Sequence, residues 1–151
     1  MITVIQAASY IFHRYKEDYG SDIDEMKLHK LLYLSQRESI IMTGEPMFDA
    51  PFEAWKYGPV VVEIREKFRK NALNEQMDKD SLSVYQPVFD SVFQRYAVKD
   101  SWNLSLLTHG DSSWQNARQG LNPDEHCSER LSMDDIRWDA ERIKIRRYIL
   151  S

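Results

Sequence analysis

Apolar residues recur at helical spacing along most of this chain, and glycine or proline marks the breaks between the periodic stretches. Residues 3–17 carry Val4, Ile5, Ala8, Ile11, Phe12 and Tyr15 on one stripe, and Gly20 closes the segment. Asp22 with Glu25 reads as a capping box for a second helix, "EMKLHKLLYLSQRESIIMTG". Leu28, Leu31, Leu32, Ser35 and Ser39 share one face of it, which Leu34 and Ile41 widen. Gly44 is the expected stop, with Pro46 just beyond.

The next stretch, "PMFDAPFEAWKYGP", cannot be one helix, because Pro46, Pro51 and Pro59 interrupt it. Met47, Phe48, Phe52, Ala54 and Trp55 supply apolar contacts there, and two very short extended segments fit. Pro59 is expected in the first turn of a third helix, "PVVVEIREKFRKN", with Val60, Ile64 and Phe68 facing inward. Residues 71–83 are polar and aperiodic, which predicts a surface loop with room for a fragment of helix. Pro87 reads as another helix start, followed by Val88, Phe89, Val92, Phe93 and Tyr96 on one stripe.

A short helix within "KDSWNLSLLTHGD" should stop near Gly110. Another, "SSWQNARQG", should be capped by Ser112 or Ser113 and ended by Gly120. A polar loop over 121–131 leads to Ser132 and Asp135, which open a last helix running to about Leu150. The pattern predicts a mainly α, single domain over residues 1–151. It should hold six or seven helices, with one short proline-rich irregular or extended insert between helices 2 and 3.

Composition narrows the function. A chain of 151 residues with 42% hydrophobic and 29% charged residues fits one globular domain with its own core. The net charge of −4 and a pI of 5.6 argue against a nucleic-acid binder, which usually carries a basic field. The single cysteine, Cys127, permits no intramolecular disulfide and suits a reducing compartment. "MITVIQAASYIFHRYK" lacks the basic region and apolar core of a secretory signal, and no run approaches the ~18 apolar residues of a membrane span. A cytoplasmic protein is the expectation.

Candidate chemistry is sparse. His109 stands near Asp111, Ser112 and Ser113, but a Ser-His-Asp set needs its base to bridge the other two in space, which such close neighbours rarely achieve. Helix capping by Asp111, Ser112 or Ser113 is the plainer role. His126 and Cys127 are adjacent, yet no second cysteine or histidine lies at zinc-finger spacing, so no metal is expected. No phosphate loop is present, and no cofactor is expected.

Two segments are candidates for binding as well as for structural roles. Trp55, Lys56, Tyr57, Gly58 and Pro59 place two aromatics beside a turn, and such residues dominate protein interfaces. Trp55 should anchor the core, while Lys56 and Tyr57 should face a partner. In the last helix Arg142, Lys144, Arg146 and Arg147 complement the helix dipole. Trp138, Ile143, Ile145, Tyr148, Ile149 and Leu150 exceed one buried stripe, so this helix, with Arg146 and Arg147, suits a partner or a homodimer contact.

Three blocks taken together carry a resemblance. They are Lys27–Leu28–His29–Lys30–Leu31–Leu32–Tyr33, then Ala54–Trp55–Lys56–Tyr57–Gly58–Pro59–Val60, then Leu107–Thr108–His109 with Trp114, Ala117 and Arg118. Their order and separation resemble the Panacea domain, the SocA-like antitoxin family, over about residues 4–120. His29 departs from the glutamine frequent at that place, and the C-terminal helix lies outside the pattern. The resemblance implies that Lys27, Leu31, Tyr33, Thr108, His109, Trp114 and Arg118 form the family's structural motif.

It further implies an antitoxin of a bacterium or phage, encoded beside an unrelated protein toxin and neutralising it by direct binding without enzymatic activity. One branch of the family resembles an adaptor that delivers its toxin to a bacterial protease or unfoldase, which is the rival reading. A small hydrolase using His109 and Asp111 is the third.

Overall fold

One helix lies at the centre and is buried on every side. In α2 (Glu25–Thr43) every residue from Lys27 to Ile40 is buried, including His29, Lys30, Gln36, Arg37 and Glu38. The computed structural model describes residues 1–151. Around α2 pack α1 (Val4–Tyr19), α4 (Lys79–Val92), α5 (Ser101–His109) and α7 (Met133–Leu150). Two three-residue strands, β1 (Glu53–Trp55) and β2 (Gly58–Val60), and α3 (Val62–Arg69) lie against its start. With the short α6 (Ser112–Ala117) this makes a mainly helical domain of seven α-helices. Ile11, Leu28, Leu31, Leu32, Phe48, Phe52, Phe89 and Leu104 belong to one continuous core.

The helix ends follow local hydrogen bonding, with one correction to the sequence reading. A capping box does form, but at α1: Thr3 Oγ1 accepts from Gln6 N at 3.0 Å, and Gln6 Oε1 accepts from Thr3 N at 3.0 Å. Asp22 and Glu25 do not make one. Asp24 caps α2 through Lys27 N at 2.8 Å, because the helix begins at Glu25, whose carboxylate instead receives Arg65 and Arg69 of α3.

The proline-rich insert folds as an antiparallel hairpin. Trp55 pairs with Gly58 and Ala54 with Pro59, so Lys56–Tyr57 form the turn. Pro59 therefore sits in β2 and not in the first turn of α3, which begins at Val62. Proline's fixed φ suits an edge strand as well as a helix start, so the dipeptide alone does not choose. The outer edge of β1 is covered by the 121–131 segment, where Ala54 N donates to Glu129 O at 2.8 Å and Leu131 N to Phe52 O at 2.9 Å. Behind the hairpin, Gln36 of α2 binds Met47 N at 2.7 Å and Phe48 O at 2.8 Å.

One further expectation changes at α4. The helix begins at Lys79, capped by Asp78 through Ser81 N at 2.7 Å, and so takes in the fragment of helix allowed for within 71–83. Pro87 is consequently inside the helix rather than at its start. It is tolerated because Ser83 and Pro87 both lie on the exposed face, where the carbonyl freed by proline meets solvent. The chain then passes through a π-helical turn, Phe93–Ala97, into α5, capped by Asp100 through Asn103 N at 2.7 Å. Ser132 caps α7 through Asp135 N at 3.3 Å.

Candidate functional site

A buried polar cluster joins α2, α6 and α7. The Asp111 carboxylate is 1% exposed and accepts from Tyr33 Oη at 2.5 Å, from Arg37 NH1 at 2.8 and 3.0 Å, and from Arg142 NH2 at 3.0 Å. Arg37 also donates to Tyr96 Oη at 3.0 Å. Burial opposes the charge on Arg37, but Asp111 beside it, with Tyr96 and Tyr33, raises its pKa, so the guanidinium stays ionised. Burial and the neighbouring Asp111 push the Tyr33 phenol well above its ordinary pKa, so it stays a donor.

Asp111 thus precedes α6 without capping it, because its side chain is committed to the two arginines and the tyrosine. Neither Ser112 nor Ser113 provides the cap either. Asp139 of α7 does: its carboxylate accepts from Ser112 N at 2.7 Å and Ser113 N at 2.8 Å. Burial and the nearby Asp111 charge raise the Asp139 pKa, against the pull of those amides. Glu38 of α2, equally buried, receives Arg147 of α7 at 2.8 and 2.9 Å, and Arg147 also donates to Tyr96 Oη.

Helix α7 accordingly packs through charged as well as apolar groups. Asp139, Arg142 and Arg147 face the core as ion-pairing groups, while Trp138, Ile145, Tyr148, Ile149 and Leu150 are exposed. Arg147, expected to face a partner, has its guanidinium occupied by Glu38 and Tyr96. Arg146 is exposed.

The hairpin is held from behind by the second half of the motif. Arg118 NH1 donates to Ala54 O at 2.8 Å, Trp114 Nε1 to Trp55 O at 2.8 Å, and Ser105 Oγ to Tyr57 O. Arg118 also gathers the carbonyls of Asn122, Pro123 and Glu125, at 3.3, 3.4 and 2.6 Å. His109 stacks on Trp114 with ring centroids 4.0 Å apart and an interplanar angle of 8°. Thr108 Oγ1 donates to Ser105 O at 2.9 Å. Three carbonyls around the turn, those of Ala54, Trp55 and Tyr57, are therefore addressed by α5, α6 and the residue after it. This is why two blocks some fifty residues apart in sequence act as one unit.

Within the turn the expectations divide. Tyr57 is exposed and Gly58 and Pro59 are buried, while Lys56 is half-buried with Nζ 3.4 Å from Asp124. Trp55 is half-buried, not a plug in the core. Its indole donates to Glu53 at 2.9 Å and lies 5.1 Å beneath the Arg65 guanidinium. The Tyr57 ring stands 6.0 Å from that of Trp102, itself exposed, and Leu106, also exposed, follows one turn later on α5. Tyr57, Trp102 and Leu106 make an apolar ridge of the kind that marks interaction surfaces.

Gly58 sits where no other residue fits. Its φ is +122°, and a Cβ there would lie 2.7 Å from Lys30 Cε and 2.8 Å from Thr108 Oγ1. Lys30 belongs to the first block and Thr108 to the third, so all three blocks meet at this glycine. A pocket of about 330 Å³ opens beside it, lined among others by His29, Lys30, Trp55, Tyr57 and Arg65. Burial lowers the Lys30 pKa to about 8, against the fields of Asp24 and Glu25. Burial and Lys30 lower that of His29 to about 4. A larger cleft of about 560 Å³ between α1 and α4 is polar, and its main ions pair with each other, as Arg14 does with Asp90 at 2.5 Å and Asp18 at 3.4 Å.

Of the family-motif residues, Lys27 is buried with its ammonium 5.0 Å above the Tyr15 ring, and Leu31 lies in the core. Tyr33 enters the Asp111 cluster, and Thr108, His109, Trp114 and Arg118 back the hairpin. His109 makes no hydrogen bond with Asp111, Ser112 or Ser113, and its Nε2 is buried without a partner. His109, Asp111 and the two serines are therefore not linked as a Ser-His-Asp set. Sequence reasoning missed Lys30, Arg37, Glu38 and Asp139. Their one legible signal was ionisable residues set within otherwise apolar helical faces.

The comparisons agree with this arrangement. The family model described as "Antitoxin SocA-like, Panacea domain" matches residues 28–115, which contain the hairpin, α2 from Leu28 onward and the Asp111 anchor. Antitoxin SocA of Caulobacter vibrioides (strain NA1000 / CB15N) is 35% identical over 65 residues, 40% of this chain and 35% of that protein. The aligned part thus spans about a third of that relative's length. No solved structure matches the chain.

Proposed function

The chain belongs to the SocA-like, Panacea-domain antitoxin family, and from that premise we propose that it neutralises a protein toxin by binding it directly, without catalysis. The contact surface is the ridge of Tyr57, Trp102 and Leu106, with Lys56 at its edge. One observation carries this reading: the turn bearing Tyr57 is pinned by Ser105, Trp114 and Arg118, so an exposed aromatic is held in a fixed place. A preorganised aromatic avoids most of the ordering cost of binding. The ridge also lies within the family match, whereas the exposed residues of α7 lie outside it.

The test is co-expression with the product of the adjacent gene, followed by co-purification and growth rescue. Alanine at Tyr57 and Trp102 together should weaken the complex by about 30-fold or more, the ~2 kcal/mol of a hot spot. Alanine at Trp138 and Tyr148 should leave it intact. Full rescue by a folded Tyr57→Ala, Trp102→Ala variant would sink the assignment of this surface. Rescue with no complex detectable would sink direct binding.

A further inference from the structure

The pocket beside the hairpin contains a charge that the protein itself does not satisfy. Lys30 is 2% exposed, and its ammonium feels only the through-space fields of Asp24 and Glu25, with no acceptor of its own. Next to it, neither ring nitrogen of His29 makes a hydrogen bond, and Nε2 stands 3.5 Å from the Glu25 carboxylate at the pocket wall. Two polar groups without hydrogen bonds at the floor of one cavity stand apart from the other buried cations, Lys27, Arg37 and Arg118, each of which has a hydrogen-bond acceptor.

We propose that this pocket binds a carboxylate, with Lys30 as its counter-ion and His29 as a second hydrogen-bonding group. The charge count selects the ligand. Arg65 is already paired with Glu25 at 3.1 Å and lies over Trp55, and Lys56 is near Asp124. One cation is therefore left over, which fits a monoanion and not a phosphate dianion. Beside these groups and His126, the lining by Met26, Trp55, Tyr57 and Val60 is apolar and suits a short hydrocarbon or peptide attached to the acid group.

Gly58 keeps the entrance clear. A side chain there would meet Lys30 Cε at 2.7 Å and Nζ at 3.1 Å, filling the space a ligand would use. Buried ammonium against carboxylate is the charge-assisted kind of hydrogen bond, which is short and strong. His29 is neutral at physiological pH, so it can donate one N–H without adding charge.

Small probes test the pocket without any toxin, so the result is separate from the antitoxin reading. Amide NMR of the full chain would be followed on adding 3-phenylpropionate, the matched alcohol 3-phenylpropanol, or inorganic phosphate. The acid should move the Trp55 indole, Tyr57 and Gly58 signals saturably. The alcohol and phosphate should bind at least about tenfold more weakly, the scale of one charged hydrogen bond. Lys30→Met should abolish the response while holding or raising the melting temperature, since it removes a buried unpaired charge.

Equal binding of the alcohol or of phosphate, undiminished binding by Lys30→Met, or no saturable response to any carboxylate would overturn the proposal. If Lys30→Met does not fold, the acid-against-alcohol comparison on the unaltered chain decides. Short peptides then distinguish the source. Binding by a free-acid peptide but not its amide assigns a C-terminal carboxylate. Binding by a blocked, amidated peptide containing aspartate assigns a side chain, and binding by the small acid alone assigns a free metabolite.

Discussion

Replacing Asp111 by alanine should be among the most damaging single changes in the protein, although the residue is neither apolar nor in a strand or helix. Its carboxylate is the shared acceptor for Tyr33, Arg37 and Arg142. Tyr33 keeps Ser113 Oγ at 2.9 Å after the change, and Arg142 is exposed enough to turn toward solvent. Arg37 has no such escape. Its side chain is 2% exposed, its Nε is already unpartnered, and only Tyr96 would remain to it. Stranding one member of a buried ion pair costs about 3–5 kcal/mol, against a total stability of about 5–15 kcal/mol. For a chain of this length about 1 kcal/mol corresponds to about 2–4 °C, so the melting temperature should fall by roughly 6–20 °C. Thermal and urea unfolding followed by circular dichroism would measure it. The double variant Arg37→Met, Asp111→Leu should recover most of the loss, because a buried pair replaced by packed apolar groups is near neutral. A loss below about 1 kcal/mol in Asp111→Ala, or a double variant as unstable as the single, would refute this account of the cluster.

Two further outcomes follow from the same geometry. His29 has a folded pKa of about 4 against 6.5, so its contribution is intact above pH 6.5 and is lost as pH falls toward 4, because only the unfolded chain takes the proton readily. From pH 6.5 to 4.5 that is about 2–3 kcal/mol, at about 1.4 kcal/mol per unit; urea titrations should show His29→Gln losing less stability over this range than the unaltered chain, and equal slopes would contradict it. Trp114→Phe keeps an aromatic against His109 but removes the indole donor to Trp55 O, so it should cost about 1 kcal/mol and speed hydrogen exchange at the 56–58 turn. Unchanged exchange there would mean that Arg118 and Ser105 suffice to hold the hairpin.

Much of the helical layout was legible because it depends on local rules. The stripes of α1 and α2, the stops at Gly20 and Gly44, and the Ser132 cap of α7 are all set by neighbours within a turn or two. The two misread prolines mark where local rules tie. Pro59 satisfies both a strand edge and a helix start, and what decides is the packing of Gly58 against Lys30 and Thr108. Pro87 looked like a beginning because the polar run before it hid Leu82 and Tyr85, which continue the stripe of Val88, Phe89 and Val92 backward by two turns.

The candidate site was legible only as a set of blocks, not as a mechanism of assembly. Nothing near Arg37 and Glu38 in the sequence identifies their partners, which arrive 74 residues later at Asp111 and 109 residues later at Arg147. No spacing rule reaches that far, and both partners lie in segments whose own patterns look ordinary. The structure gives the spacing a cause. A central helix that is buried all round cannot keep Arg37 and Glu38 unless other elements bring countercharges to it. Asp111 and α7 do so, and in doing so they fix α6, whose Trp114 together with the adjacent Arg118 fixes the hairpin. The last helix lies outside the family match, yet it completes the support beneath the turn that presents Tyr57. Changes deep in the Asp111 cluster should therefore reach the exposed ridge through α6, without any residue of the ridge being altered.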